Sequence, residues 1–265
     1  MFKKIIIMGL PGSGKTTLAQ DIVKAPGDTP LSWHNADSVR QRHNDWDFSP
    51  EGRLRQAQRI GEMVRQDAAQ DLVSIADFVC PTEETRQAFG TDSADLVIWM
   101  DTIRSSRYLD TNQIWQEPGH YHLRIRTFND EWATIVAGMI RSATLPVQWN
   151  NRAPTVQMMG RWQPWHAGHQ ALFERLLERT GQVAIEIRDC QGWNDSNPFD
   201  LSEVELNIHR ELETRYYGRY RVLVVPNIVH IGYGRGVGYT IAEEVFDDAT
   251  HAISATDIRR KMGLR

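Results

Sequence analysis

The segment "KKIIIMGLPGSGKTTLAQDIVKA", Lys3 to Ala25, constrains this chain more than any other. A short apolar run of strand length passes directly into G-x-x-x-x-G-K-[ST], Gly9 to Thr16, and then into an amphipathic helical pattern. A strand, a glycine loop and a helix in that order commit the first part of the chain to a parallel sheet covered by helices. They also dictate a chemistry. Gly9, Gly12, Ser13 and Gly14 let backbone N–H groups curl around phosphate oxygens, and the helix N-terminus adds partial positive charge. Lys15 reaches the outer phosphates, and the Thr16 hydroxyl, followed by Thr17, can hold Mg²⁺. The expectation is a site for ATP or GTP, with Mg²⁺ neutralising the triphosphate.

The alternation continues. "LSWHNADSVR" reads as a strand end running into a loop, "EGRLRQAQRIGEMVRQDAAQ" as a long helix, and "DLVSIADFVC" and "ADLVIWMDTI" as buried strands. "TLPVQWNNRAP", Thr144 to Pro154, lacks periodicity and reads as a linker. The pattern then restarts with strand "PTVQMMGR", helix "HAGHQALFERLLERT", strand "QVAIEIRD", helix "LSEVELNIHRELETRY", strand "YRVLVVPNI" and a last helix near Ser254. A chain of 265 residues accommodates two such units, each with its own core. The fold class expected is α/β, as two tandem three-layer domains over residues 1–148 and 149–265.

A net charge of -4 without long basic runs argues against nucleic-acid and membrane partners. The lysines and apolar run at the N-terminus superficially match a secretion signal, but the run is short and ends in Pro-Gly-Ser-Gly. Two cysteines, Cys80 and Cys190, support no disulfide framework, and a reducing cytoplasm is expected.

A phosphate loop alone does not separate a kinase from a switch or a motor. "NADSVRQRHNDWDFSPEGRLRQAQRIGEM" supplies Asp37 at the end of the second strand, where a carboxylate can orient an acceptor hydroxyl or hydrated Mg²⁺. Arg40 and Arg53 are candidates to clamp an anionic acceptor, with surface charge as the alternative. Asp37, Arg40, Asn44, Phe48-Ser49 and the Arg-rich helix carrying Arg53 together resemble the adenylylsulfate kinase family, over roughly residues 3–110. That resemblance implies a P-loop kinase fold and a sulfated or phosphorylated acceptor bound by Arg40, Asn44 and Arg53. Cys80-Pro81 replaces the family's Ser-Pro step; Arg104 and Arg107 are candidate lid arginines.

The second half carries "GRWQPWHAGHQ", Gly160 to Gln170, between a strand and a helix. His166 and His169, three apart at a helix start, lie on one face and can both reach a phosphate. Zinc binding and a purely structural pair are the alternatives. With "ISATDIRRKM", Ile253 to Met262, the string resembles the HxGH nucleotidylyltransferase superfamily. The resemblance implies a Rossmann-like fold in which Gly160, Arg161, His166, His169, Ser254, Thr256 and Arg259 bind the nucleotide. "SNPFDLSEVELNI" further resembles nicotinamide-mononucleotide adenylyltransferases of the short, archaeal-like type. Trp162, Asn197, Asn227, Tyr233 and Arg235 are the acceptor-binding candidates, against packing for Trp162 and plain loop roles for the rest.

The combined expectation is a bifunctional transferase. An ATP-dependent kinase phosphorylates a small anionic acceptor, and a second site moves a nucleotidyl group from an NTP, ATP or CTP, releasing pyrophosphate. Lys15, Asp37, His166 and His169 would be catalytic. Partners are small-molecule nucleotides and a phosphorylated or sulfated acceptor; self-association stays open. The alternatives are a kinase and adenylyltransferase of the NAD-salvage type, and a nucleotide sensor without turnover.

Overall fold

The computed structural model describes residues 1–25, 30–190, 194, 196–232, 234, 238, 240–244 and 254–263. Two compact units divide the chain, Met1–Pro146 and Val147–Arg265.

The first unit contains β1 (Lys4–Gly9), α1 (Lys15–Lys24), β2 (Leu31–Asn35), α2 (Ala36–His43), α3 (Pro50–Ala69), β3 (Val73–Phe78), α4 (Glu83–Phe89), β4 (Leu96–Met100), α5 (Leu109–Ile114), β5 (Leu123–Ile125) and α6 (Glu131–Ser142). Its five strands are all parallel, in the order β2-β3-β1-β4-β5. Central strands of such a sheet are apolar on both faces, and β1 shows why. Ile6 and Met8 pack with Val39, Ala57, Ile60 and Phe89 beneath α2, α3 and α4. Ile5 and Ile7, also fully buried, face the opposite layer of α1 and α6. Each such side chain contributes about 1.5–3 kcal/mol. The segment after β2, expected as a loop, is instead α2, because the Asn35 side chain accepts a hydrogen bond from Ser38 N and caps it.

The second unit contains β6 (Val156–Gly160), α7 (Ala167–Thr180), β7 (Val183–Arg188), α8 (Leu201–Tyr216), β8 (Tyr220–Val225) and α9 (Ala255–Lys261). Its strands are parallel in the order β6-β7-β8. Val183, Ile185 and Ile187, one alternate set of β7, pack with Phe173 and Leu176 of α7 and with Val204, Ile208 and Leu212 of α8. Both helices therefore cover the same face. Three layers are present in the first unit; in the second, α7 and α8 form the layer over one face of the sheet.

No helix among the described residues is long and apolar enough to cross a membrane.

Candidate functional site

In the first unit the carboxyl ends of β1, β2 and β3 converge on a cleft of about 760 Å³ lined by Gly12, Lys15, Thr16, Asn35, Asp37 and Asp77, among others. Gly9 ends β1, and Gly12 and Gly14 take left-handed φ values of 90° and 89°, which glycine adopts without steric cost. Gly14 is the N-cap of α1, so the free amides of its first turn open toward the loop. Ser13 is buried under the loop; Thr17 is exposed on the first helical turn. Lys15 folds back so that Nζ donates to the Leu10 carbonyl at 2.8 Å. Burial lowers its pKa to about 8, against the pull of Asp77 and Asp37.

The residue that the sequence reading missed is Asp77. It sits near the end of β3, 1 % exposed, and its carboxylate is fully engaged. Oδ2 accepts from the Thr16 hydroxyl at 2.6 Å and Oδ1 from Trp33 Nε1 at 2.7 Å, while Asn35 Nδ2 reaches both oxygens at 3.2 and 3.1 Å. Burial pushes the Asp77 carboxyl upward, opposed by these hydrogen bonds and by Lys15. A hydroxyl and a carboxylate at the mouth of a phosphate loop are hard oxygen donors of the kind Mg²⁺ takes, so the pair fits the ion. The available signal was a lone Asp in the apolar run "VSIADF".

On the acceptor side the structure redistributes the expected roles. Asp37 is exposed, in the first turn of α2, and lines the cleft. Arg40, expected as an anion clamp, is 4 % exposed and turned inward: its Nη1 donates to the carbonyls of Asp45 and Asp47 at 2.9 and 2.8 Å, and it lies 4.5 Å from the Phe48 ring centroid. Asn44 likewise has a backbone task, closing α2 as a left-handed C-cap with φ 46°. Arg53 does line the cleft, but its Nε donates to the Phe48 carbonyl and its Nη2 to Asp110 Oδ2 at 2.7 Å. Cys80, fully buried, has its thiol pushed up to about 12, which makes it inert.

In the second unit a cleft of about 880 Å³ runs beside β6 and α7, lined by His166, His169, Met159, Leu172 and Leu176 among others. His166 is the N-cap of α7, its Nδ1 accepting from the backbone N–H groups of Gly168 and His169 at 3.1 and 3.4 Å. Those bonds require a lone pair on Nδ1 and fix the ring proton on Nε2. His169 stacks on His166 with ring centroids 3.6 Å apart and meets the Trp162 ring edge-on at 4.8 Å. Burial first, and the neighbouring His166 second, lower the His169 pKa to about 3, so both rings are neutral at pH 7. The rings therefore present hydrogen-bonding nitrogens in place of fixed charge.

The turn that presents them is clamped from several sides. Gln163 exchanges two hydrogen bonds with the backbone of Phe199, at 2.9 and 3.0 Å, and its own carbonyl accepts from Arg259 Nη1 at 2.6 Å. Arg259, 9 % exposed, also donates to Thr256, and Ser254 caps α9, so the second motif anchors the first. Arg161 reaches Asn197 at 3.5 Å. Trp162 is packed in the core of the second unit: it is 5 % exposed and its indole N–H donates to the Glu186 carbonyl at 3.0 Å. A Cβ on Gly160 would lie 2.7 Å from that indole, which is why the motif begins with glycine. Asn227 is exposed in the loop after β8, and Tyr233 and Arg235 lie outside the described residues.

Comparison with known proteins comes in two kinds. The family model described as adenylylsulphate kinase matches residues 2–103. An adenylyl-sulfate kinase of Shewanella pealeana is 34% identical over 82 residues, 30% of this chain and 40% of that protein. A nicotinamide-nucleotide adenylyltransferase of Methanococcus maripaludis is 26% identical over 129 residues, 40% of this chain and 75% of that protein. Among solved structures, the Mycobacterium tuberculosis APS kinase in complex with AMPPNP and APS is similar at 20% identity and a TM-score of 0.45, covering 53% of this chain and 98% of that one. The chain thus joins a kinase-like P-loop domain to a nucleotidyltransferase-like region.

Proposed function

We propose that the chain is a bifunctional transferase that uses ATP in both halves. In the first, the phosphate loop holds the triphosphate and an acceptor hydroxyl takes the γ-phosphoryl group. Thr16 and Asp77 would hold Mg²⁺, which supplies charge neutralisation across the phosphates. Lys15 turns from the Leu10 carbonyl to the outer phosphates, and Asp37 orients the acceptor hydroxyl and takes its proton. The observation that carries this reading is the Thr16–Asp77 hydrogen bond at the mouth of the loop.

In the second half, a phosphate oxygen of the acceptor forms a bond to the α-phosphorus of the nucleotide as the bond to pyrophosphate breaks. The Nε2–H of His166, the His169 ring and the amides at the start of α7 stabilise the charge that develops. The likeness to nicotinamide-nucleotide adenylyltransferases favours nicotinamide mononucleotide as acceptor and ATP over CTP as donor.

The test is to incubate the purified chain with labelled ATP or CTP and candidate acceptors, following ADP and pyrophosphate separately. Lys15→Ala is expected to abolish only ADP formation, and His169→Ala only pyrophosphate release. If either substitution removed both activities from a folded protein, two independent sites would be refuted. Tight nucleotide binding with neither product would favour a sensor.

A further inference from the structure

The acceptor side of the first cleft is built against anions. Arg53 and Arg107 line it, Arg40 lies behind them under Phe48, and each has a partner within the protein. Arg40 lies beneath Phe48 and holds the carbonyls of Asp45 and Asp47. Arg53, whose side chain is 11 % exposed, is neutralised by Asp110, whose side chain is 66 % exposed and lines the same cleft. Further along α3, Arg55 and Arg59 are held by Asp45, whose carboxyl they keep well below its usual range. Arg107 lies over the Tyr108 ring at 4.9 Å with Nη2 on its hydroxyl, in the segment that would close over the triphosphate. What the cleft offers an acceptor is the exposed carboxylate pair Asp37 and Asp110, with Arg107 turned onto Tyr108. A sulfate or phosphate entering here meets like charge on one side and, on the other, an arginine already paired.

We infer that the acceptor of the first cleft is an uncharged or cationic alcohol, and that Asp110 sets this preference by holding Arg53; the inference rests on the phosphotransferase reading above. The group transfer itself is unchanged. The alcohol oxygen bonds to the γ-phosphorus, the bond to the bridging oxygen breaks, ADP leaves, and the alcohol proton passes to Asp37 and on to water. The product is a phosphate monoester. An acceptor of the second cleft must already carry a phosphate, so a reaction of this class supplies one.

The test is an ADP-release assay on the full chain with three probes: adenosine 5′-phosphosulfate as the anion, adenosine as the neutral nucleoside, and the pyridinium riboside obtained by dephosphorylating nicotinamide mononucleotide as the cation. The neutral or the cationic probe is expected to exceed the anion in kcat/KM by about tenfold or more. Asp110→Asn frees Arg53 and is expected to raise kcat/KM for the anion several-fold relative to the preferred probe, whereas Asp110→Glu retains the wild-type ranking. Preference of the wild type for the sulfate ester, or an unchanged ratio in Asp110→Asn, overturns the inference and leaves the phosphotransferase reading intact. ADP release with no probe, in a chain that still binds ATP, defeats both.

Discussion

On the proposed reading, the two clefts would bind phosphate by opposite means. The first relies on a fixed cation and a short contiguous loop whose curl is set by its own glycines, and Lys15, held to Leu10 five residues before it, keeps its proton near neutral pH despite burial. The second relies on neutral imidazoles, and their turn is held by residues far away in sequence, with Gln163 bound to Phe199 36 residues on and to Arg259 96 residues on. In the first, removing the functional group is expected to leave the fold intact. In the second, presenting the functional groups and packing the core are the same task.

The largest effect that sharpens this contrast is expected from Lys15→Ala. Phosphoryl transfer should fall by about 10²–10³-fold, the scale of losing a charged group that stabilises a phosphoryl transition state, with an unchanged melting temperature. Steady-state ADP formation alongside a thermal melt measures both. A large drop in melting temperature would break the comparison, because it would make Lys15 part of the core.

Gln163→Ala should behave differently. It removes two hydrogen bonds to Phe199 in a half-buried setting. It should therefore destabilise the second unit by about 2 kcal/mol and reduce pyrophosphate release by about tenfold, although Gln163 makes no contact with the reacting atoms. Chemical denaturation and a pyrophosphate assay test the coupling; loss of activity without loss of stability would refute it.

These same contrasts explain what could be read from sequence. The phosphate loop was legible because its geometry is local. Asp77 was not, since its partners Trp33 and Thr16 lie 44 and 61 residues away, and only strand pairing of β2 with β3 brings Asn35 beside it. Arg40 and Asn44 belong to a helix and its C-cap where a loop was expected; the direction of Arg40 is set by the 45–48 loop, and Asn44 serves a left-handed backbone position that letters alone do not reveal. The histidine motif was legible as a pattern. That His166 caps its own helix, and that Trp162 packs under Gly160 instead of facing a ligand, depends on how the turn closes.

A smaller effect follows from protonation. The folded chain holds His169 at about 3, below its ordinary 6.5, so in between the unfolded chain binds more protons. Stability from this group is complete above pH 6.5 and is lost as the pH falls toward 3. Melting of the second unit should drop by a few degrees, roughly, between pH 7 and pH 5, and His169→Gln should flatten that slope. Lys15 does not titrate in that window, but burial also lowers the pKa of His122 in the first unit, so that unit should show a slope of its own which His169→Gln leaves untouched. An unchanged slope of the second unit in His169→Gln would show that this imidazole is not the source.

The smallest effect separates packing from recognition in the opening turn of the second site. Trp162→Phe keeps an aromatic ring against His169 and above Gly160 but deletes the indole N–H that donates to the Glu186 carbonyl. The carbonyl is left short of one partner, and the smaller ring fills less of the core formed with Trp165 and Phe173. A loss of about 1–2 kcal/mol is expected, with KM for the acceptor unchanged, since no part of the Trp162 ring would face it. Had the ring been a stacking platform, the same substitution would raise acceptor KM and leave stability nearly untouched. Measuring both quantities on one variant decides between the two roles, and the packing role ties the second cleft to its core as the first cleft is not.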